Sequence, residues 1–436
     1  MNTGIIILLI FLLLHPLAAL VHRGKSAKSL SAFVIAAGSM KPSGVAASLL
    51  ATILGGSAVM GTAGLAARHG WWALCWLGSG ALGLWVLSLL IHRIDMDGAL
   101  SLPHVARRHG GRMLQITIAA VIVPAWVGIV AAQFAAFGKL AEGLSTGSGP
   151  LLMSLAAAVT VAYVSLAGQR GVLRTDGLQL LFVLALLGGL LITLGFAKPS
   201  LSPSGHIPAM PPLDALDMVI AVGVPFLIGP DMFSRLLTLP NAPGRRRSLR
   251  MASVGLAAVA VIIAMIGILS HGYLDTPGES LLVRLPATLW GSWGAWLAAC
   301  GLGAALLSSA DTCLLSAATI AGVDLLGVRS VKHIRLLAVA VGLSALGIAL
   351  WQKGIVATLL VSYTVYTGGL AVPAVLALFF GIRLPGITMA LTVITGAAVA
   401  LGAKIAGLPL GLPASLLAAG CVAAPGLWRH KQLPQR

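Results

Sequence analysis

The sequence predicts an all-α polytopic membrane protein with about thirteen transmembrane helices, and three features carry that prediction. Of its 436 residues, 58% are hydrophobic and only 9% are charged. Apolar runs of about 20 residues recur without period-2 alternation. Lys and Arg sit in the short connections between those runs. Hydrocarbon offers no hydrogen bonds, so a backbone crossing it is helical or a closed barrel, and runs of this length select helices. The formal net charge of +17 could suggest a nucleic-acid partner. The basic residues form no single patch or tail, however, so membrane topology explains them better and no nucleic acid is expected. The surrounding partner is membrane lipid. Cys75, Cys300, Cys313 and Cys421 all fall inside apolar runs without CxxC spacing, which implies neither a disulfide framework nor a metal site.

Spans are expected near 3–22, 43–67, 70–92, 113–137, 150–168, 175–196, 216–238, 250–271, 293–323, 335–351, 355–381, 385–403 and 408–427. The first run, GIIILLIFLLLHPLAAL, lacks the basic n-region of a signal peptide, and Arg23, Lys25 and Lys28 follow it. It reads as a retained helix with its N-terminus outside. Alternating the remaining spans from there leaves only Arg68, Lys139, Lys198, Arg284, Lys353 and Lys404 on the outer side and all other Lys and Arg on the cytoplasmic side. The expected placement is therefore multi-pass in the cell inner (plasma) membrane, with a cytoplasmic C-terminus. The cluster GRRRSLR at 244–250 is read as a topology anchor, with contact to anionic lipid as the alternative.

Helices that break in mid-membrane survive where the freed backbone lines a cavity or coordinates an ion. The second span carries ATILGGSAVMG, with Gly55 and Gly56 near its centre. The seventh carries GVPFLIGPDMF, with Gly223, Pro225, Gly229 and Pro230. Proline removes a donor and clashes with the preceding turn, so at least a kink is expected in the seventh. Close helix packing is the alternative reading of the glycines. The two spans stand five apart and run in opposite directions, as the first helices of two inverted five-helix repeats would. A third anomaly is LLSSADTCLL at 306–315, which sets Ser308, Ser309, Asp311 and Thr312 in an otherwise apolar run, where a carboxylate is costly.

SLPHVARRHGGR resembles the loop after the third span of sodium:solute symporters, GVLRTDGLQ resembles the signature opening their sixth span, and LLSSADTCLL resembles their ninth-span Ser-Ser/Thr motif. The resemblance implies a leucine-transporter-type fold with a 5+5 inverted-repeat core. It implies a single transmembrane transporter domain over 1–436: an extra N-terminal helix at 1–30, the first repeat at 31–200, the second at 210–383 and two C-terminal helices at 384–428. The function it implies is sodium-coupled symport of a small organic solute into the cytoplasm by alternating access, with Na+ as coupling ion and no enzymatic activity.

By the same resemblance, sodium would lie between the broken second span and the ninth. It would be held by the carbonyls of Ala51, Leu54 and Ala305 and by the hydroxyls of Ser308 and Ser309. A hard cation suits such oxygen ligands; helix packing is the alternative for the serines. Asp311 lies one helical turn past Ser308, and Asp176 resembles the family's aspartate near the cytoplasmic exit, so the two acids would line an ion release path. A structural ion pair with Arg174 or Arg235 is the alternative. Gly55, Gly56, Ser57, Gln133, Pro225, Phe226 and Gly229 are expected at the solute cavity. Gln133 reads equally as a helix-to-helix hydrogen bond. Asp231, just after Pro230, reads as a helix cap in preference to a solute ligand.

Two other readings of the same fold stay open: a proton in place of sodium, or a transporter-like sensor acting with a separate partner. DMDGALSLPHVARR only loosely resembles the start of an alcohol phosphotransferase site, with the wrong spacing and no downstream aspartate pair. HExxH is missing as well.

Overall fold

The computed structural model describes residues 3–20, 29–196, 208–273, 280–351, 355–408 and 411–432. Arg23, Lys25, Lys28, Lys198, Lys353 and Arg436, which enter the charge split above, lie outside the described residues. Among the described residues every regular element is helical, and nine stretches are long and apolar enough to cross a membrane. Several are too long for one crossing. Gly149–Phe196 has 48 residues, roughly 70 Å of helix against a hydrocarbon core of about 30 Å. It is divided at Gly168, whose φ of 61° is left-handed, into the fifth and sixth spans. Gly70, at φ 60°, likewise separates the second span from the third. Counted with Thr3–Leu20, the broken second span and Gly411–Gln432, the described residues hold the thirteen long helices expected.

Two boundaries differ from expectation. SLPHVARRHGGR is no loop. Ser101 caps a helix by accepting the His104 amide at 3.1 Å, Pro103 stands in its first turn, and the helix runs to Gly111, where φ of 70° turns it into the fourth span. The cap and the first-turn proline are a helix-start signal, masked in the sequence by its basic residues. Leu281–Ile320 is divided in the same way at Gly291, φ 61°, so a second short helix precedes the ninth span. The sixth span, in turn, begins directly after Gly168, ahead of residue 175.

The two breaks lie where the glycines and prolines predicted them. Pro42–Ile53 ends at Leu54 and Gly55, whose ψ values of 34° and 151° are not helical, and Gly56–His69 resumes the span. Pro212–Ile228 runs through Gly223 and Pro225 before Gly229, at ψ 123°, interrupts it, and Pro230–Leu236 follows. The ninth span is the axis of the bundle. It packs against Leu102–Leu144 and Gly149–Phe196, and 94% of its most apolar window is buried in protein. That envelopment explains how it tolerates polar residues, because none of them meets lipid.

Candidate functional site

A helix leaves its last carbonyls without intrahelical partners, and at the break of the second span these point to different tasks. The Leu50 carbonyl accepts the Leu54 amide at 2.9 Å, and the Gly55 carbonyl accepts those of Ala58 and Val59. The carbonyl of Thr52 instead accepts the Ser309 hydroxyl at 2.9 Å, and that hydroxyl also lies 3.4 Å from the Ala305 carbonyl. A hydroxyl and two carbonyls from the second and ninth spans thus converge between the break and Ala305, an oxygen set that suits a hard monovalent cation. Ala51 and Leu54 flank the same break, and both are buried. Gly55 permits the approach, since a Cβ there would overlap the Ser309 hydroxyl, and one on Gly56 would overlap Leu306.

Ser308 points elsewhere. Its hydroxyl donates to Asp176 at 2.5 Å, placing it in a fully buried network. Arg235, from the second half of the seventh span, pairs with Asp176 at 2.9 Å with both side chains wholly inaccessible. Arg235 also donates to Ser48 at 2.7 Å and to the hydroxyls of Thr52 and Thr312, while Ser48 donates to Asp176. Among the described residues Asp311 has no ion-pair partner; it accepts Tyr163 at 2.6 Å, Thr175 at 3.2 Å and Thr312 at 3.2 Å. Arg235, one of the two arginines named as a partner for Asp311, therefore belongs to Asp176. Side chains from the second, fifth, sixth, seventh and ninth spans are tied together here, and both acids foreseen on an exit path are sealed within it.

Beside these groups lies a cavity of about 370 Å³ between the two breaks. Ser57, Pro225, Phe226 and Gly229 line it, as expected. Gly55, Gly56 and Gln133 do not: the glycines are occupied by packing against the ninth span, and Gln133 is buried away from it with its Oε1 unpartnered. The sequence reading missed the aromatic wall of Trp76, Trp126, Tyr363 and Tyr366, and took Asp231 for a helix cap in preference to a lining residue. Single aromatics in apolar spans carry no period that separates lining from core. Asp231 does stand in the first turn of Pro230–Leu236 with Gly229 as the cap residue, and it lines the cavity as well. Tyr366 holds this break in place by donating to the Ile228 carbonyl at 2.6 Å.

Two broken helices with a cavity and a packed polar network between them are the architecture of the leucine-transporter-type fold. Residues 33–205 match the model of the sodium:solute symporter family, which bears out the resemblance over a range that holds SLPHVARRHGGR and GVLRTDGLQ and ends before LLSSADTCLL. Among solved structures, a Na+-coupled sialic acid symporter in its substrate-bound outward-open state superposes with a TM-score of 0.82 at 14% identity, covering 99% of this chain and 98% of that one. A nucleobase-cation-symport-1 family transporter, closed with bromovinylhydantoin bound, gives 0.64 at 17% identity, covering 94% and 96%. At these identities the likeness carries the fold. No curated protein matches the chain. Family and neighbours alike are transporters, not enzymes.

Proposed function

We propose that the protein is a secondary active transporter that couples sodium movement to uptake of a small organic solute by alternating access. The observation that carries this reading is the convergence of Ser309 on the broken second span, next to a cavity that spans both breaks. The family matched over residues 33–205 supports sodium as the coupling ion. Ser309, Ala305 and the carbonyls of the break would hold it, with Ala51 and Leu54 reached by small backbone adjustment and Ser308 bridging to Asp176.

Conformation fits the same reading. The cavity extends to exposed Asp214 at the start of the seventh span, an outer position by the charge split. The Arg235–Asp176 network closes the opposite end. An inward-facing state then requires that network to rearrange, which would wet Asp176 and Asp311 and open the release path. Purified protein in liposomes with an inward sodium gradient should accumulate solute, and dissipating the gradient should abolish accumulation. Accumulation driven equally well by a proton gradient without sodium would overturn the coupling. A cysteine replacing Asp214 should react with an impermeant thiol reagent in intact cells while one replacing Arg246 is protected; the reverse pattern would overturn the orientation.

A further inference from the structure

The lining of the cavity restricts what it can hold. It contains two carboxylates, Asp231 at the broken seventh span and Asp214 at the exposed end, and among its described lining residues there is no Lys, Arg or His. The nearest guanidinium, Arg235, reaches the backbone carbonyl of Asp231 at 3.3 Å. Its charge is already matched by Asp176 at 2.9 Å. Among the described residues the Asp231 carboxylate has no ion-pair partner within 4.0 Å. Its carboxylate is held by the backbone N–H groups of Asp231 and Met232 at the start of its own helix, and a carboxylate without a cationic partner in the middle of a membrane bundle is costly and marks a functional position.

Two further observations point to a ligand independently of that charge. Trp126 and Thr367 are 2% and 0% exposed and line the cavity, yet the indole Nε1 and the threonine Oγ1 find no hydrogen-bond partner among the described residues. Buried polar groups are nearly always satisfied, and leaving one unmade costs about 1 to 3 kcal/mol. An indole N–H can only donate, so what satisfies Trp126 must carry an acceptor. Around these groups stand the rings of Trp76, Phe226, Tyr363 and Tyr366. Trp126 and Tyr366 meet edge to face at 4.8 Å. Electron-rich ring faces attract cations, most strongly away from water.

We propose that the cavity binds a small organic cation, its ammonium group seated against Asp231 and the aromatic wall and a hydrogen-bond acceptor turned to the Trp126 indole. This rests on the reading of the cavity as the solute site of a transporter. An anionic solute would meet two carboxylates and no basic side chain, and a neutral one would leave Asp231 unmatched. A volume near 370 Å³, about a dozen water molecules, admits a compact amine or quaternary ammonium.

The test uses full-length protein in detergent with sodium present, with melting temperature followed against choline, ethanolamine, their uncharged counterparts 3,3-dimethylbutan-1-ol and propan-1-ol, and butyrate. A ligand that binds the folded state raises the melting temperature by mass action. At least one of the two cations should stabilise, and the alcohols and butyrate should not. Asp231→Asn should weaken the cation's apparent affinity at least tenfold. Trp126→Phe, which keeps a ring and removes the donor, should weaken choline several-fold and leave tetramethylammonium, which has no acceptor, unchanged. Equal stabilisation by the alcohols, a shift that survives Asp231→Asn, or no shift with either cation would overturn the proposal. Sodium-driven uptake separates it from the underlying function. Cation binding without uptake would remove the transporter reading alone, whereas uptake of an uncharged or anionic solute would remove this inference alone.

Discussion

The second and seventh spans break at matching places in the two halves of the fold, but the breaks are chemically unlike. At the second, two glycines let the ninth span press so close that Ser309 replaces water at a freed carbonyl. The result is a tight cluster of neutral oxygens at the edge of the cavity, which Thr52 and Ser309 also line. At the seventh, Gly229 and Pro230 leave room, the Ile228 carbonyl is satisfied from outside by Tyr366, and Asp231 faces a cavity. Interrupting a helix frees backbone polar groups in either case. Whether the opening then suits an ion or an organic solute depends on how closely the neighbouring span approaches.

The two breaks share Arg235, which begins near the seventh and reaches Thr52 beside the second. Arg235→Ala has the largest expected effect. It leaves Asp176 buried and unpaired, at a cost of about 3 to 5 kcal/mol, seen as a steep loss of monodisperse protein and melting temperature. Replacing both partners, with Arg235→Met and Asp176→Leu, should recover most of that stability. A single variant as stable as the native protein would show that the network does not clamp the two breaks together.

Ser308→Ala with Ser309→Ala should come next, weakening sodium activation tenfold or more, about 1 to 3 kcal/mol, with expression maintained. Unchanged sodium activation would remove the ion from the second break. Smaller and more discriminating is a pair of alanine substitutions. Gly55→Ala pushes a methyl group into Ser309 and should shift the sodium dependence. Gly229→Ala places one 2.6 Å from Asp231 Oδ1 and 2.9 Å from the Pro225 carbonyl, and should shift solute affinity at saturating sodium. If both variants changed the same parameter, the division of labour between the breaks would be lost. Asp311→Asn should cost the least stability, because the amide keeps an oxygen for the hydroxyls that hold the carboxylate and no arginine is left unpaired. Its expected signature is a changed transport rate in a normally folded protein; a clear fall in melting temperature would return Asp311 to a purely structural role.

The sequence made much of this visible because the bilayer imposes simple constraints. Apolar run length and the placement of Lys and Arg lead to thirteen spans, and Gly55 and the Gly229–Pro230 pair mark both breaks. What stayed hidden depends on distance between spans. Nothing in the pattern near Asp176 tells which acid takes Arg235, since residues 176 and 311 lie at similar depth on different helices and only packing separates them. Trp126 and Tyr366 were invisible for the same reason. Ser101 and the helix it caps could have been found locally, and were obscured by reading their basic residues for topology alone.

The buried axis formed by the ninth span bears on how the chain is made. A segment carrying Ser308, Ser309, Asp311 and Thr312 is a poor candidate to dwell in lipid after leaving the ribosome, since a central aspartate alone costs a few kcal/mol on insertion scales. Its principal packing partners, Leu102–Leu144 and Gly149–Phe196, are synthesised before it and are already in the membrane when it emerges. Tyr163 and Thr175, which receive Asp311, wait on those earlier helices. The polar groups of the ninth helix thus meet partners on helices made before it, which offers the nascent segment a prepared slot out of the lipid.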